Sequence, residues 1–201
     1  MSGAHAPLIP LILVRHGETD WNVEGRLQGR RDVPLNPRGR DQARAVGRLL
    51  AGAVPDLSKR PFFVSPLTRA TDTARLLREA AGLDPDLFVT EERLAELGFG
   101  AWEGSTMREI REREPAEARR RDAARWTHRP PGGESYEDVE SRLATFFAAL
   151  DRPSVIVAHG GVIRAALALL GAGARETLPG LHVRQGRAIL LNSEGWRWLS
   201  Q

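Results

Sequence analysis

The sequence predicts an α/β fold, a three-layer α/β/α sandwich with a mostly parallel central sheet. Three observations point there. Short apolar runs alternate along the chain with longer segments of helical period. Two of those runs, residues 11–14 and 155–158, show no apolar/polar alternation, as expected of strands covered on both faces. Helix-start signals recur between the runs, at Asn36-Pro37, Ser65-Pro66 and Ser135-Tyr136-Glu137-Asp138. A length of 201 residues suits one domain with a full core. The chain is therefore read as a single domain over 1–201, with a loose N-terminal tail at 1–7.

The elements follow in order. Residues 8–14 form an apolar run interrupted only by Pro10, read as a buried strand that stops at Arg15-His16-Gly17. Residues 23–37 are polar and rich in Gly and Pro, a loop long enough to be functional. Asn36 as N-cap and Pro37 as first residue open a helix with Ala43, Val46, Leu49 and Leu50 on one face. Residues 62–64 are a short strand. Ser65-Pro66 opens a second helix that ends near Gly82 and places Arg69 in its first turn, where free N–H groups attract anions.

Residues 87–89 read as an edge strand, and 91–104 as an ordered loop. Residues 105–131 are charged and helix-prone, interrupted by Pro115, and are expected to form a helical excursion over the sheet edge. A capping box at Ser135 starts a helix carrying Val139, Leu143, Phe146, Phe147 and Leu150. The strand at 155–158 ends in His159-Gly160-Gly161, and a helix over 162–170 follows. Strands at 188–191 and 196–199 close the chain.

Composition removes several function classes. Without cysteine there is no disulfide framework, thiolate chemistry or cysteine-bound metal. No apolar run reaches the ~20 residues of a bilayer span, and the N-terminus lacks signal-peptide character. The expectation is a soluble, cytoplasmic protein with no membrane contact. A formal net charge of +3 arises from 29 bases, all but Lys59 arginine, interleaved with 26 acids. The only dense basic run is Arg119-Arg120-Arg121, so nucleic-acid binding is not expected.

Three apolar strands thus end in Arg15-His16-Gly17, in Ser65-Pro66 with Arg69 behind it, and in His159-Gly160. Ligands of open α/β sheets bind outside the carboxyl ends of the strands. Two arginines and two histidines gathered there would make a pocket for a multiply charged oxyanion, phosphate above all.

The ordered set Arg15-His16-Gly17-Glu18-Thr19 with Asn22, Ser65-Pro66-Leu67-Thr68-Arg69-Ala70, Leu94-Ala95-Glu96 and His159-Gly160 resembles the histidine phosphatase superfamily. The match runs from about residue 11 to 192. The resemblance implies a phosphoglycerate mutase-like fold and a set of roles. His16 would be the nucleophile that forms a phosphohistidine, kept unprotonated by Arg15 and Arg69. Arg15, Arg69, Asn22 and His159 would hold the phosphoryl oxygens. Glu96 would protonate the leaving alkoxide and then activate water, with Glu91, Glu92 and Glu103 as nearby alternatives. Thr19, Gln28 and the Gly160 N–H are candidates for further phosphate contacts. His5, His128 and His182 are read as structural or surface residues. The arginines supply the positive charge, so no metal or other cofactor is expected.

Classical mutases of this family carry more sequence between the acid motif and the second histidine. Here Glu96 and His159 are 63 positions apart. Trp102-Glu103-Gly104 and Gly132-Gly133-Glu134-Ser135 resemble the shorter phosphatase branch. A metal-independent phosphatase acting on phosphomonoesters of small molecules is therefore expected. The alternatives are mutase-type phosphoryl transfer and a phosphate-binding module without turnover. Residues 23–32 and 107–131 are expected to wall the pocket, with arginines of the second segment favouring a further acidic group on the substrate. Oligomeric state stays open, a homodimer included.

Overall fold

A computed structural model describes residues 9–200; the expected tail at 1–7, and Leu8, lie outside them. Six strands form one sheet: β1 (Leu11–Arg15), β2 (Phe62–Val64), β3 (Val89–Thr90), β4 (Ser154–Ala158), β5 (Ala188–Asn192) and β6 (Gly195–Trp198). Their order is β3-β2-β4-β1-β5-β6. β1 to β4 are mutually parallel, β5 runs antiparallel to β1, and β6 antiparallel to β5, so the sheet is mixed with a parallel majority. β1 begins after Pro10, which has no N–H to give to a ladder.

Helices cover both faces. The helices α2 (Pro37–Ala53) and α3 (Thr68–Ala80) pack over Ile12, Val14, Val64, Val155 and Val157. On the opposite face α6 (Tyr136–Ala148) and α7 (Gly160–Leu169) cover Leu11, Leu13, Ile156 and Ala158. Neighbouring residues of β1 thus enter different cores, which explains why its sequence carries no alternation. The expected caps hold at Asn36, whose side chain accepts from Gly39 N at 2.8 Å, and at Ser135, which forms a capping box with Asp138.

Three expectations are corrected. A one-turn helix, α1 (Asp20–Val23), precedes the long loop and is capped by Thr19. The helix after β2 starts at Thr68 with Leu67 as its N-cap residue; the Ser65 hydroxyl, further back, lies 2.7 Å from His159 Nε2 and accepts from Leu67 N at 3.4 Å. α7 starts two residues early, at Gly160, with His159 as its N-cap residue. The expected interruption at Pro115 is present: α4 (Met107–Arg113) stops before it and Pro115 opens α5 (Pro115–Ala123), as suits a proline at the first helical position.

α4 and α5 pack a small core of Trp102, Ile110 and Ala118 against Leu27, Phe99 and Met107. They brace the loop at 26–31 from outside, with Arg26 and Thr106 bridged as a β-pair. No helix among the described residues is long and apolar enough to cross a membrane.

Candidate active site

Parallel register brings the histidines together. Arg15 of β1 lies opposite Ala158 of β4, and Val64 of β2 opposite Val157. The ladder runs one residue further on each side: His16 N donates to Ala158 O at 3.0 Å, and Ser65 N to Val157 O at 3.0 Å. His16, Ser65 and His159 therefore leave three adjacent strands at one rim. The His16 and His159 ring centroids are 5.1 Å apart, about one strand spacing. A cleft of about 160 Å³ opens there, lined by residues that include Arg15, His16, Asn22, Gln28, Arg69, Glu96, Gly160 and Arg164.

The bonds around each imidazole set its tautomer. His16 Nδ1 lies 2.7 Å from Gly17 O. A carbonyl only accepts, so Nδ1 carries the proton and Nε2 keeps its lone pair. His159 Nδ1 accepts from Arg69 Nε at 3.3 Å, which leaves Nε2–H to donate to Ser65 Oγ at 2.7 Å. Burial pushes the His16 imidazole well below the ordinary histidine range, and Arg69 and Arg15 push it further. His159 is depressed in the same way, by burial and then by Arg69, His16 and Arg15.

This has a consequence for stability. At pH above ~6.5 both imidazoles are neutral whether the chain is folded or not. Below that, the unfolded chain takes up protons on them that the folded chain refuses. Their contribution is thus fully present above the unfolded value and declines on acidification, by at most about 1.4 kcal/mol per pH unit for each imidazole. Melting temperatures between pH 8 and 5 should fall more steeply for the wild type than for His159→Asn; equal slopes would contradict the burial of a neutral ring.

The arginines are held by backbone carbonyls. Arg69 is fully buried and donates to Gly29 O at 2.8 Å and Arg31 O at 2.7 Å, so α3 and the loop at 26–31 grip one another through it. Arg15 donates through Nη1 to Val183 O, while its buried Nε has no partner within the protein. Burial lowers the Arg15 guanidinium to about 10, with Glu96 opposing and Arg164 and Arg69 adding to the fall. It stays charged at neutral pH.

The Glu96 carboxylate lies at the N-terminus of α7, accepting from Gly161 N at 3.1 Å and Leu97 N at 2.9 Å. Among the alternative acids, Glu91 is engaged with Arg93 at 2.7 Å. Glu103 holds Arg30 N at 3.0 Å and Phe99 N at 3.1 Å, fixing the loop that carries the two carbonyls on Arg69. Neither Glu91, Glu92 nor Glu103 lines the cleft.

Asn22 Oδ1 accepts from Thr19 N at 3.2 Å and Thr19 Oγ1 at 3.1 Å, which turns its amide NH2 away as a free donor. Thr19 itself is fully buried and lies outside the lining; its hydroxyl is spent on Asn22. Gln28 does line the cleft, with its Oε1 buried and unpartnered. The α3 N-terminus is not open to a ligand, because Asp32 accepts from Thr68 N at 2.8 Å.

The lining corrects two further expectations. Residues 26–29 wall the cleft, but no residue of 107–131 does; Phe99, Tyr136, Gly161 and Arg164 take that place. The excursion at 105–131 supports the wall from behind. No motif marks Arg164, and its signal in the sequence is positional: it stands four residues after Gly160 in α7, one turn along the same helix face.

Known proteins agree with this arrangement. The family model described as histidine phosphatase superfamily (branch 1) matches residues 11–201. The chain is 39% identical over 168 residues, 78% of its length and 73% of the relative's, to "2,3-bisphosphoglycerate-dependent phosphoglycerate mutase 2" of Gloeobacter violaceus. It is 39% identical over 174 residues, 80% and 74% of the two lengths, to "Glucosyl-3-phosphoglycerate phosphatase" of Mycobacterium tuberculosis. The native structure of a mycobacterial glucosyl-3-phosphoglycerate phosphatase superposes with a TM-score of 0.77 at 34% identity, covering 94% of this chain and 96% of that one. The parallel rim with its paired histidines and the match over 11–201 lead to one conclusion: this chain belongs to the histidine phosphatase superfamily.

Proposed function

We propose that this protein hydrolyses phosphomonoesters of small molecules through a phosphohistidine on His16. The observation that carries the reading is the His16 ring: buried, neutral, with its proton fixed on Nδ1 by Gly17 O and two guanidiniums beside it. Its Nε2 lone pair attacks phosphorus. The bond from phosphorus to the ester oxygen breaks, and the leaving alkoxide takes a proton from the Glu96 carboxyl. The Glu96 carboxylate then takes a proton from water, whose oxygen attacks phosphorus while the bond to Nε2 breaks. Inorganic phosphate leaves, and His16 and Glu96 return to their starting states.

Arg15, Arg69 and the Asn22 amide surround the equatorial oxygens, where most of the charge resides during transfer; His159, expected to join them, lies outside the cleft lining with both ring nitrogens engaged and holds Arg69 in place instead. The unpartnered Arg15 Nε is one donor ready for that anion. Gln28 and the Gly160 N–H, both at the cleft, add donors from the loop and from the α7 N-terminus. Thr19 contributes by orienting Asn22. A cytoplasmic setting without nucleic-acid partners is part of this proposal, and rests on composition.

Hydrolysis is favoured over mutase transfer because residues 107–131 stay behind the wall, leaving the phosphohistidine within reach of water. The test measures phosphate release from p-nitrophenyl phosphate and 3-phosphoglycerate beside isomerisation of the latter. Isomerisation without release would establish the mutase; binding without either would leave a phosphate-binding module. Glu96→Gln should lower kcat by about 10²–10⁴-fold, the range for a lost general acid–base, and a variant within threefold of wild type would remove Glu96 from that role.

A further inference from the structure

The cleft holds more positive charge than the transfer of one phosphoryl group requires. Arg15 and Arg69 already flank His16. Arg26 also reaches the lining, but it is neutralised by Glu24 at 2.6 Å and Glu109 at 3.1 Å. Arg164 is different. It is half-buried, and its named partners are neutral: Leu181 O accepts from Nε at 2.9 Å, and the Tyr136 hydroxyl lies 3.4 Å from Nη1. Among the described residues no carboxylate stands within ion-pair distance of it.

Arg164 is also next to a second cation. A Cβ built on Gly160 would lie 3.3 Å from Arg164 Nη1 and 3.4 Å from Arg15 Cζ, so both guanidiniums crowd the same glycine. Leu181 O holds one and Val183 O the other, so neighbouring carbonyls of one loop keep the pair in place against their repulsion. The single acid of the lining, Glu96, is already engaged by the Gly161 and Leu97 amides. Holding two guanidiniums side by side, with no carboxylate paired to Arg164, opposes folding. An anion supplied by the ligand reverses that balance.

The size of the cleft says where such an anion sits. A cleft of about 160 Å³ takes a phosphoryl group with a substituent beside it. An acidic group one or two carbons from the ester oxygen remains inside this space, on the Arg164 side. A planar guanidinium fork fixed along one edge presents its remaining N–H groups in the geometry of a carboxylate.

We propose that Arg164, oriented by Leu181 O and Tyr136, receives a carboxylate on the substrate, so that the preferred substrates are small phosphomonoesters of hydroxy acids. This rests on the hydrolase reading above. The arginines at 107–131, expected from sequence to serve this purpose, do not reach the cleft.

The test uses a matched pair, 3-phosphoglycerate and glycerol 3-phosphate, which differ by a carboxylate against a hydroxymethyl group. p-Nitrophenyl phosphate serves as the reference for hydrolysis. The wild type should prefer 3-phosphoglycerate in kcat/KM by at least about tenfold, as expected where a site built for a polar group meets an analogue lacking it. Arg164→Gln should reduce that ratio at least tenfold, mostly through KM, and Arg164→Lys should retain part of it. Thermal melts of both variants establish that they fold.

An unchanged ratio in Arg164→Gln overturns the assignment. So does an equal fall on both substrates, which would place Arg164 on the phosphoryl group. Hydrolysis of p-nitrophenyl phosphate without preference within the pair removes the carboxylate subsite and leaves the hydrolase reading standing; no hydrolysis of any of the three removes both.

Discussion

Replacement of His16 by alanine should lower kcat by about 10³-fold or more, the scale seen when a covalent nucleophile is removed. The reason is specific to this cleft. His159, the other imidazole at the rim, donates its Nε2–H to Ser65 and receives Arg69 on Nδ1, so neither nitrogen is free to attack. Glu96, the only lining carboxylate, is held by two amides. The fold should survive, since the His16 ring makes its one protein hydrogen bond to the adjacent Gly17 O. A denaturant quench of wild type with a radiolabelled phosphomonoester should trap an acid-labile, base-stable phosphoryl group that His16→Ala does not form. Turnover of the variant within tenfold of wild type, or trapping at another residue, would remove the phosphohistidine on His16.

Gly17→Ala should cost the fold far more stability than a glycine-to-alanine change in open space. A Cβ at Gly17 would stand 2.2 Å from Gly39 O and 2.7 Å from the Gly39 carbonyl carbon. Both obstacles are backbone, and neither side can yield easily. Gly39 is in the first turn of α2, and its own Cβ would stand 2.1 Å from Glu18 O. The two turns are further tied by Asn36 N to Glu18 O at 3.0 Å and Glu18 N to Gln42 Oε1 at 2.8 Å. Gly17 N donates to Thr73 Oγ1 at 3.0 Å, which locks α3 into the same contact.

The demand at Gly17 is for space, since it is not among the glycines with positive φ. Overpacking against fixed backbone lies at the upper end of the usual 1–3 kcal/mol range, so a loss of about 3 kcal/mol and about 6–12 °C in Tm is expected. Gly25→Ala is the control. Gly25 has φ +71° but nothing within 4 Å of a Cβ, so the backbone cost alone of about 1 kcal/mol applies. A Gly17→Ala variant as stable as Gly25→Ala would show that the two turns do not meet this closely.

Much of the fold was legible because its signals are local. The runs at 11–14 and 155–158 announced themselves as strands by unbroken apolar residues, and the fold puts their alternate side chains in two different cores. Asn36 and Ser135 were readable as caps because a cap acts within four residues. The same rule failed at Ser65, which lies three residues before the first residue of α3 and meets a partner distant in sequence, His159. It also failed for α1, whose single turn is too short to show a period. The segment at 105–131 was recognised as helical, but its charge pattern gave no clue that Trp102 would draw it behind the pocket wall.

What this sequence determined by itself was the order of elements, the chemistry of the residues at three strand ends, and the superfamily. Those depend on periodicity and on short motifs, which are properties of neighbouring residues. Only the tertiary structure decided that Arg69 would be held by Gly29 and Arg31 carbonyls, that Glu96 rather than Glu103 would line the cleft, and that Arg164 would stand there without a counter-charge. Each of these depends on which backbone groups strand register and helix packing bring within reach, across separations of 17 to 65 residues. No local pattern carries that information, because it comes into being only when the sheet has closed the distances.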